Sequence, residues 1–372
     1  MNGDLYPPKD TIPDVSHPQV KQWVSEIDWS KVPQIPVAGG LPDSPHFPNC
    51  PPDDEVDKRS CWWSCDGCVQ PSDVVTCPNQ SDWGLTYDDG PSVASREMMK
   101  YLNSNKISAT FFIVGSRVLE YPDILREQVA QGHHIAMHTW SHAGLTTLTN
   151  EQIVAEVRWS EKIIRDATGL TVKYIRPPYG DVDNRVREIL RQMGYVTVIW
   201  TLGWDTNDWR VAMNQIQPDE IMQTFENALD NRELIRSSTG GPGGPVTLEH
   251  DLTDGTIYLS KQIIPMGMNR GLRPMSLDRC LNDASPYQKG SLTDQKANGG
   301  AGNHTSLATK PGITTPGNGA ADYNGSTAQD TKNEQGLSMS KSEAKAMIHN
   351  GAQTMGYTVM GLAMVASLMM AL

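Results

Sequence analysis

From about Cys77 to Cys280, short apolar bursts alternate with longer spans in which apolar residues recur at a helical period. The bursts at 83–87, 109–114, 134–137, 195–201 and 245–249 read as strands, 195–201 on its β-branched and aromatic content. Between and after them, 93–105, 122–131, 149–167, 183–193, 218–229 and 256–264 read as helices. The clearest is 149–167, where Thr149 and Gln152 have the spacing of a capping box and Ile153, Val157 and Ile164 lie along one stripe. Pro218 suits the first turn of its helix. Repeated strand-helix alternation predicts an α/β fold with parallel strands, and the number of units suits a closed or nearly closed barrel.

Chemistry-bearing residues fall at the C-terminal ends of these strands, where barrel enzymes build their sites. Thr86-Tyr87-Asp88-Asp89-Gly90-Pro91 ends the first strand with adjacent carboxylates and a turn. One carboxylate can bind metal while its neighbour takes a proton, and Asp-Gly-Pro is also ordinary turn chemistry. His138-Thr139-Trp140-Ser141-His142 follows the third strand, and its imidazoles, four residues apart, are expected to share one helical turn and face one side. Adding one Asp from the first strand makes two nitrogens and one oxygen with a position left for water, the ligand set of a catalytic metal. His133 and His134 read as strand residues on the far side of Ala136 and Met137.

The flanks differ from this core. Cys50, Cys61, Cys65, Cys68 and Cys77 crowd one region, Cys280 stands apart, and Asn79, Asn303 and Asn324 each open an Asn-x-Ser/Thr acceptor. An even cysteine count with such acceptors favours disulfides in an oxidising compartment. A zinc knuckle on Cys61, Cys65 and Cys68 lacks a matching second pair at the required spacing. Met1 to Val20 carries Asp, Lys, Pro and His rather than the apolar run of a secretory leader, so the route of export stays open. Residues 286–350 are rich in Gly, Ser, Thr, Asn and Lys, the composition of an unfolded and O-glycosylated stalk. The apolar tail 351–372 reads as a glycolipid-anchor signal, with a tail-anchor helix as the alternative and the attachment site open between Ser342 to Ala344 and Asn350 to Ala352. The 372-residue chain has a formal net charge of −12, which argues against nucleic acid or anionic lipid as partners, although acidity also serves solubility.

Five segments in order, namely Thr86 to Pro91, His138 to His142, Arg176-Pro177-Pro178-Tyr179-Gly180, Asp205-Thr206-Asn207-Asp208-Trp209 and Leu248-Glu249-His250, resemble the polysaccharide deacetylases of the NodB-homology type. The resemblance spans about residues 77–283 and implies a distorted TIM-like barrel of about seven β/α units. It further implies zinc or a similar divalent ion, cobalt included, held by Asp89, His138 and His142, with Asp88 as general base and His250 as general acid. Arg176 would orient Asp88 and keep it ionised, Asp208 in preference to Asp205 would pair with His250, and the Tyr179 backbone N–H would meet the oxyanion. Tyr179, Trp209 and Leu248 would line the substrate, Trp209 and Leu248 having core packing as their plainer role.

The resulting organisation is a Cys-rich extension at 1–76, a deacetylase domain at 77–285, the stalk and the anchor signal. Cys77 and Cys280 flank the barrel and are expected to tie its ends, with Cys50, Cys61, Cys65 and Cys68 pairing locally. Trp62 and Trp63 read as the miniature core of that local region, with a carbohydrate contact as the alternative. The wall-directed context points to chitin, converted to chitosan and acetate by a secreted, glycolipid-anchored monomer that touches membrane only through its anchor. The alternatives are an acetylxylan esterase and a catalytically silent wall-binding protein.

Overall fold

The computed structural model describes residues 3–52, 54–233 and 243–289. Its central sheet contains β1 (Thr86–Asp88), β2 (Thr110–Ile113), β3 (His134–Met137), β4 (Tyr174–Ile175), β5 (Val196–Thr197) and β6 (Glu249–His250), in the order β6-β1-β2-β3-β4-β5. Every neighbouring pair is parallel. The sheet curls back on itself: Thr201 N–H donates to Val246 O at 3.0 Å, and Asp205 bridges Leu248 in parallel. A distorted α/β barrel results.

Strand parity explains how the sheet is filled. Tyr87, Phe111, Ile113, Ile135 and Met137 join the large apolar cluster shared with the helices, among them α1 (Ser95–Ser104), α2 (Pro122–Ala130), α3 (Asn150–Thr168) and α4 (Asn184–Gln192). Their alternates Phe112, Ala136, Tyr174 and Val198 form a second cluster with Val246, Leu277, Cys77 and Cys280. Successive strand residues point to opposite faces, so the second cluster is the barrel filling. Thr86 and Asp88 alternate with Tyr87, and Asp88 pairs with Phe112, which puts both polar side chains on that inner side. Register thus aims a carboxylate inward at the strand end.

Two of the expected strands are divided. Within 83–87, Asp82–Gly84 pairs with Arg273–Met275, and the chain changes partner at Leu85, whose N–H donates to Met275 O, before entering β1. Within 245–249, Gly244–Pro245 pairs antiparallel with Thr76–Cys77 before β6 begins. Of 195–201, only Val196–Thr197 forms the ladder strand. β4 has two residues, too few for a period to show. The helix 149–167 is Asn150–Thr168, and Thr149 and Gln152 make both hydrogen bonds of the capping box.

The N-terminal extension contains a helix, Pro18–Ser25, whose Trp23 meets Trp159 of α3 edge to face at 5.3 Å, and a hairpin of Gly40–Leu41 with Ser44–Pro48. Cys50 is bonded to Cys65, Cys61 to Cys68, and Cys77 to Cys280. Trp62 and Trp63 are 9% and 5% exposed, and Trp63 joins the large apolar cluster against Trp200, so it packs onto the barrel instead of forming a separate miniature core. Asn79 lies exposed in a turn. Asn303, Asn324, the stalk and the tail lie outside the described residues. Among the described residues no helix is long and apolar enough to cross a membrane.

Candidate active site

The C-terminal ends of β1, β3, β4 and β6 and the segment 205–209 bring the singled-out polar residues to one rim of the barrel. Asp89, Thr139, His142 and Tyr179 all have positive φ, at 74°, 64°, 63° and 60°. Left-handed backbone at non-glycine residues costs roughly 1–3 kcal/mol each and persists where surrounding contacts enforce it. Gly90 is required by close approach, since a Cβ there would lie 2.5 Å from Asp251 Oδ1.

His138 and His142 do not share a helical turn. They sit on a loop held from below by Glu156 of α3, whose carboxylate accepts the N–H groups of Trp140 and Ser141, each at 2.8 Å, and the Ser141 hydroxyl at 2.5 Å. Those amides are thereby turned away from any helical acceptor. Glu156 is fully buried, and burial pushes its carboxyl up to about 7 against these opposing donors. Truncation by Glu156→Ala strands the buried Trp140 N–H at about 1–3 kcal/mol and also frees the part-buried Ser141 N–H, so thermal unfolding of that variant is expected below wild type. Glu156→Gln, which keeps one oxygen for both amides, is expected to retain most of the stability in the same melting experiment.

The His138 tautomer can be read from its partner. His138 Nδ1 lies 2.7 Å from the Arg176 carbonyl, an acceptor only, so it carries the proton and leaves Nε2 with a lone pair. His142 Nδ1 meets the Tyr179 hydroxyl at 3.1 Å. The Nε2 atoms stand 3.4 Å and 3.0 Å from Asp89 Oδ1, a buried oxygen with no hydrogen-bond partner. Among the described residues, Asp89, His138 and His142 are the group whose ligand atoms converge, all within 4.8 Å of one another. The His138 lone pair and the unpartnered Asp89 oxygen face one point together with His142 Nε2, and one oxygen with two nitrogens suits a divalent metal with room for further ligands. The residues present fit such an ion.

Polar pairs flank this triad on two sides. Arg176, fully buried, donates from Nη1 to Asp88 Oδ1 at 2.7 Å and to Thr86 Oγ1 at 2.8 Å, with its guanidinium 4.3 Å above the Phe112 ring. His250 meets Asp208 twice: its ring Nδ1 lies 2.7 Å from Oδ1 and its backbone N–H donates to Oδ2 at 2.8 Å. Burial opposes charge on His250, but the Asp208 carboxylate outweighs it and pushes the imidazole up to about 10. Asp205 makes no such pair. It accepts the Asn207 N–H at 2.8 Å, and burial pushes its carboxyl up to about 6. Trp209 is half-buried beside Asp208, whereas Leu248 is 7% exposed and belongs to the core.

Several supporting residues escape a reading of the chain alone. Asp251, which follows His250, is buried with its carboxyl pushed up to about 7 by burial, and accepts from Ser95 Oγ at 2.5 Å. Asp181 fastens the turn after Tyr179 by accepting from Trp62, Ser64 and Thr146. Asp251 carries a local signal, being the acid next to the His250 segment. Glu156 and Asp181 carry none, since their partners are remote in sequence.

Residues 76–198 match the family model described as polysaccharide deacetylase. The chain is 40% identical to chitin deacetylase 1 of Cryptococcus neoformans over 287 residues, 74% of this chain and 58% of that one. It is 34% identical to chitin deacetylase 1 of Saccharomyces cerevisiae over 241 residues, 64% of this chain and 72% of that one. The chain spans about three fifths of the length of the first curated relatives it matches. Among solved structures, the chitin deacetylase of Colletotrichum lindemuthianum aligns with a TM-score of 0.52 at 27% identity, covering 59% of this chain and 97% of that chain.

Proposed function

Because the chain belongs to the polysaccharide deacetylase family, we propose that it hydrolyses the N-acetyl amides of N-acetylglucosamine units in chitin, releasing acetate and leaving chitosan. The observation that carries this reading is the placement of the Asp89, His138 and His142 triad between an arginine-bound carboxylate and a carboxylate-bound imidazole. An amide is a poor electrophile, and its hydrolysis needs a base for the attacking water and an acid for the departing amine.

A divalent ion held by Asp89, His138 and His142, zinc in our reading, polarises the carbonyl and acidifies water when bound. Asp88 takes the proton from the attacking water, with Arg176 fixing the carboxylate through the 2.7 Å contact. Tyr179 offers its backbone N–H to the oxygen on which negative charge develops. His250 gives its proton to the leaving nitrogen, and Asp208 holds the ring by Nδ1 so that Nε2 is the atom free to deliver it. Trp209, half-buried near the acid, offers a face to a sugar ring.

In this reading residues 77–285 are the catalytic domain, 1–76 a Cys-rich extension, 286–350 a stalk and 351–372 an anchor signal. The disulfides fit an oxidising compartment. We assign the protein to the cell exterior as a glycolipid-anchored monomer glycosylated at Asn79, Asn303 and Asn324.

The direct test is acetate release from chitin oligomers and from acetylated xylan, with a chelator and with zinc restored. Chelator-sensitive release from the oligomers is expected. Release from xylan alone makes the enzyme an esterase, and none from either substrate with metal bound makes the protein catalytically silent. A further expectation concerns pH. Asp208→Asn removes the contact charge that keeps His250 protonated, so the alkaline limb of kcat/KM moves to lower pH, while Asp205→Asn, which removes a charge without a hydrogen bond to the ring, moves it less.

A further inference from the structure

None of the reacting groups comes from the N-terminal extension, yet the extension grips both loops that present them. The loop after His142 is held by Gly144 N–H donating to His46 O at 2.8 Å and by Ala38 N–H donating to Thr146 O at 2.9 Å. The turn after Tyr179 is held by Trp63 N–H donating to Val182 O at 3.0 Å. Asp181 joins the loops to the extension: its fully buried carboxylate accepts from Trp62 Nε1 at 2.7 Å, Ser64 Oγ at 3.0 Å and Thr146 N–H at 2.8 Å. The Cys50–Cys65 disulfide closes the end of the hairpin onto the short helix Trp63–Asp66.

That clamp delivers one side chain to the site. Phe47 of the hairpin lies 4.7 Å from the Tyr179 ring, tilted by 58°, and the Tyr179 ring lies 4.7 Å from His142. Phe47 and Tyr179 are both half-buried residues. The extension's other aromatic contacts dock it on buried rings of the barrel: Trp63 meets Trp200, Trp23 meets Trp159, and Tyr6 stacks on Trp140. Phe47 instead extends the rim of the candidate active site on the His142 side. A pyranose presents C–H groups on one face, which stack on aromatic rings, and a polymeric substrate must run past the reacting unit.

We infer that Phe47, seated on Tyr179 by the disulfide-closed hairpin, is a stacking surface for the sugar unit next to the one being deacetylated. It is a specificity-determining residue contributed from outside the barrel. The inference rests on the deacetylase reading above.

The test is steady-state acetate release by the zinc-loaded full chain from N-acetylglucosamine dimer, tetramer and hexamer. Phe47→Ala is expected to raise KM for these oligomers about three- to tenfold, with kcat held within about twofold. Phe47→Trp is expected to restore KM. Phe47→Leu retains apolar packing on Tyr179 without an aromatic face, so it should share the KM defect at an unchanged melting temperature. An unaltered KM for Phe47→Ala at every length, or a loss confined to kcat, overturns the stacking surface while leaving the deacetylase reading intact. A wild-type chain that releases no acetate from any oligomer overturns the deacetylase reading and this inference with it.

Discussion

Replacing Asp88 by Asn is expected to lower kcat by about 10²- to 10⁴-fold, the range that a positioned general base supplies, while the protein retains its metal. The argument turns on the division of labour between adjacent carboxylates. Asp88 is engaged by Arg176 Nη1 at 2.7 Å, whereas the imidazole Nε2 atoms lie nearer to Asp89 Oδ1 than Asp88 Oδ2 does to His138. An asparagine keeps an oxygen for Arg176 and nearly the same shape, but it cannot take a proton. It also leaves a fully buried guanidinium without its counter-charge, and breaking a buried pair costs up to about 3–5 kcal/mol, so some loss of melting temperature should accompany the loss of rate. Metal content by elemental analysis, alongside kcat, decides the matter. Loss of metal with loss of rate would make Asp88 a ligand, and an unchanged kcat would remove it from the chemistry.

His138→Ala is expected to abolish both. Its Nε2 is one of the converging lone pairs, and its Nδ1–H satisfies the buried Arg176 carbonyl at 2.7 Å. Losing a partner of a ligand already weakens metal binding by roughly 10–100-fold, and losing the ligand itself should exceed that. Competition with a chromogenic chelator measures the affinity without reference to activity. Wild-type affinity in this variant would place the metal elsewhere.

Sequence and structure meet most closely at the strand ends. Asp88, Asp89 and His138 stand where local order places them, because a strand ending in a turn fixes both the position and the parity of its last side chains, whereas Arg176 follows a strand too short to read and comes only from the resemblance. Legibility fails wherever a distant residue decides the local shape. The spacing of His138 and His142 fits a helical turn, yet Glu156 takes the amides that such a turn would use. Likewise Trp83 to Tyr87 looks like one strand because it is a single apolar burst, although Arg273–Met275 claims the first part and Thr110–Phe112 the second. Glu156 in turn looks like an ordinary polar member of an amphipathic helix until its partners are seen. Between Asp205 and Asp208 the resemblance already prefers Asp208, and Asp208 is the acid whose Oδ1 lies 2.7 Å from His250 Nδ1.

The Cys77–Cys280 bond joins residues 203 apart and lies within the barrel filling. Any single backbone cut between those positions therefore yields two pieces that remain one covalent molecule. After limited proteolysis at surface loops, such a nicked protein would migrate at full length without reductant and fall into fragments only when the bond is reduced. Clipping of the chain and dispersal of its active groups are thus separate events.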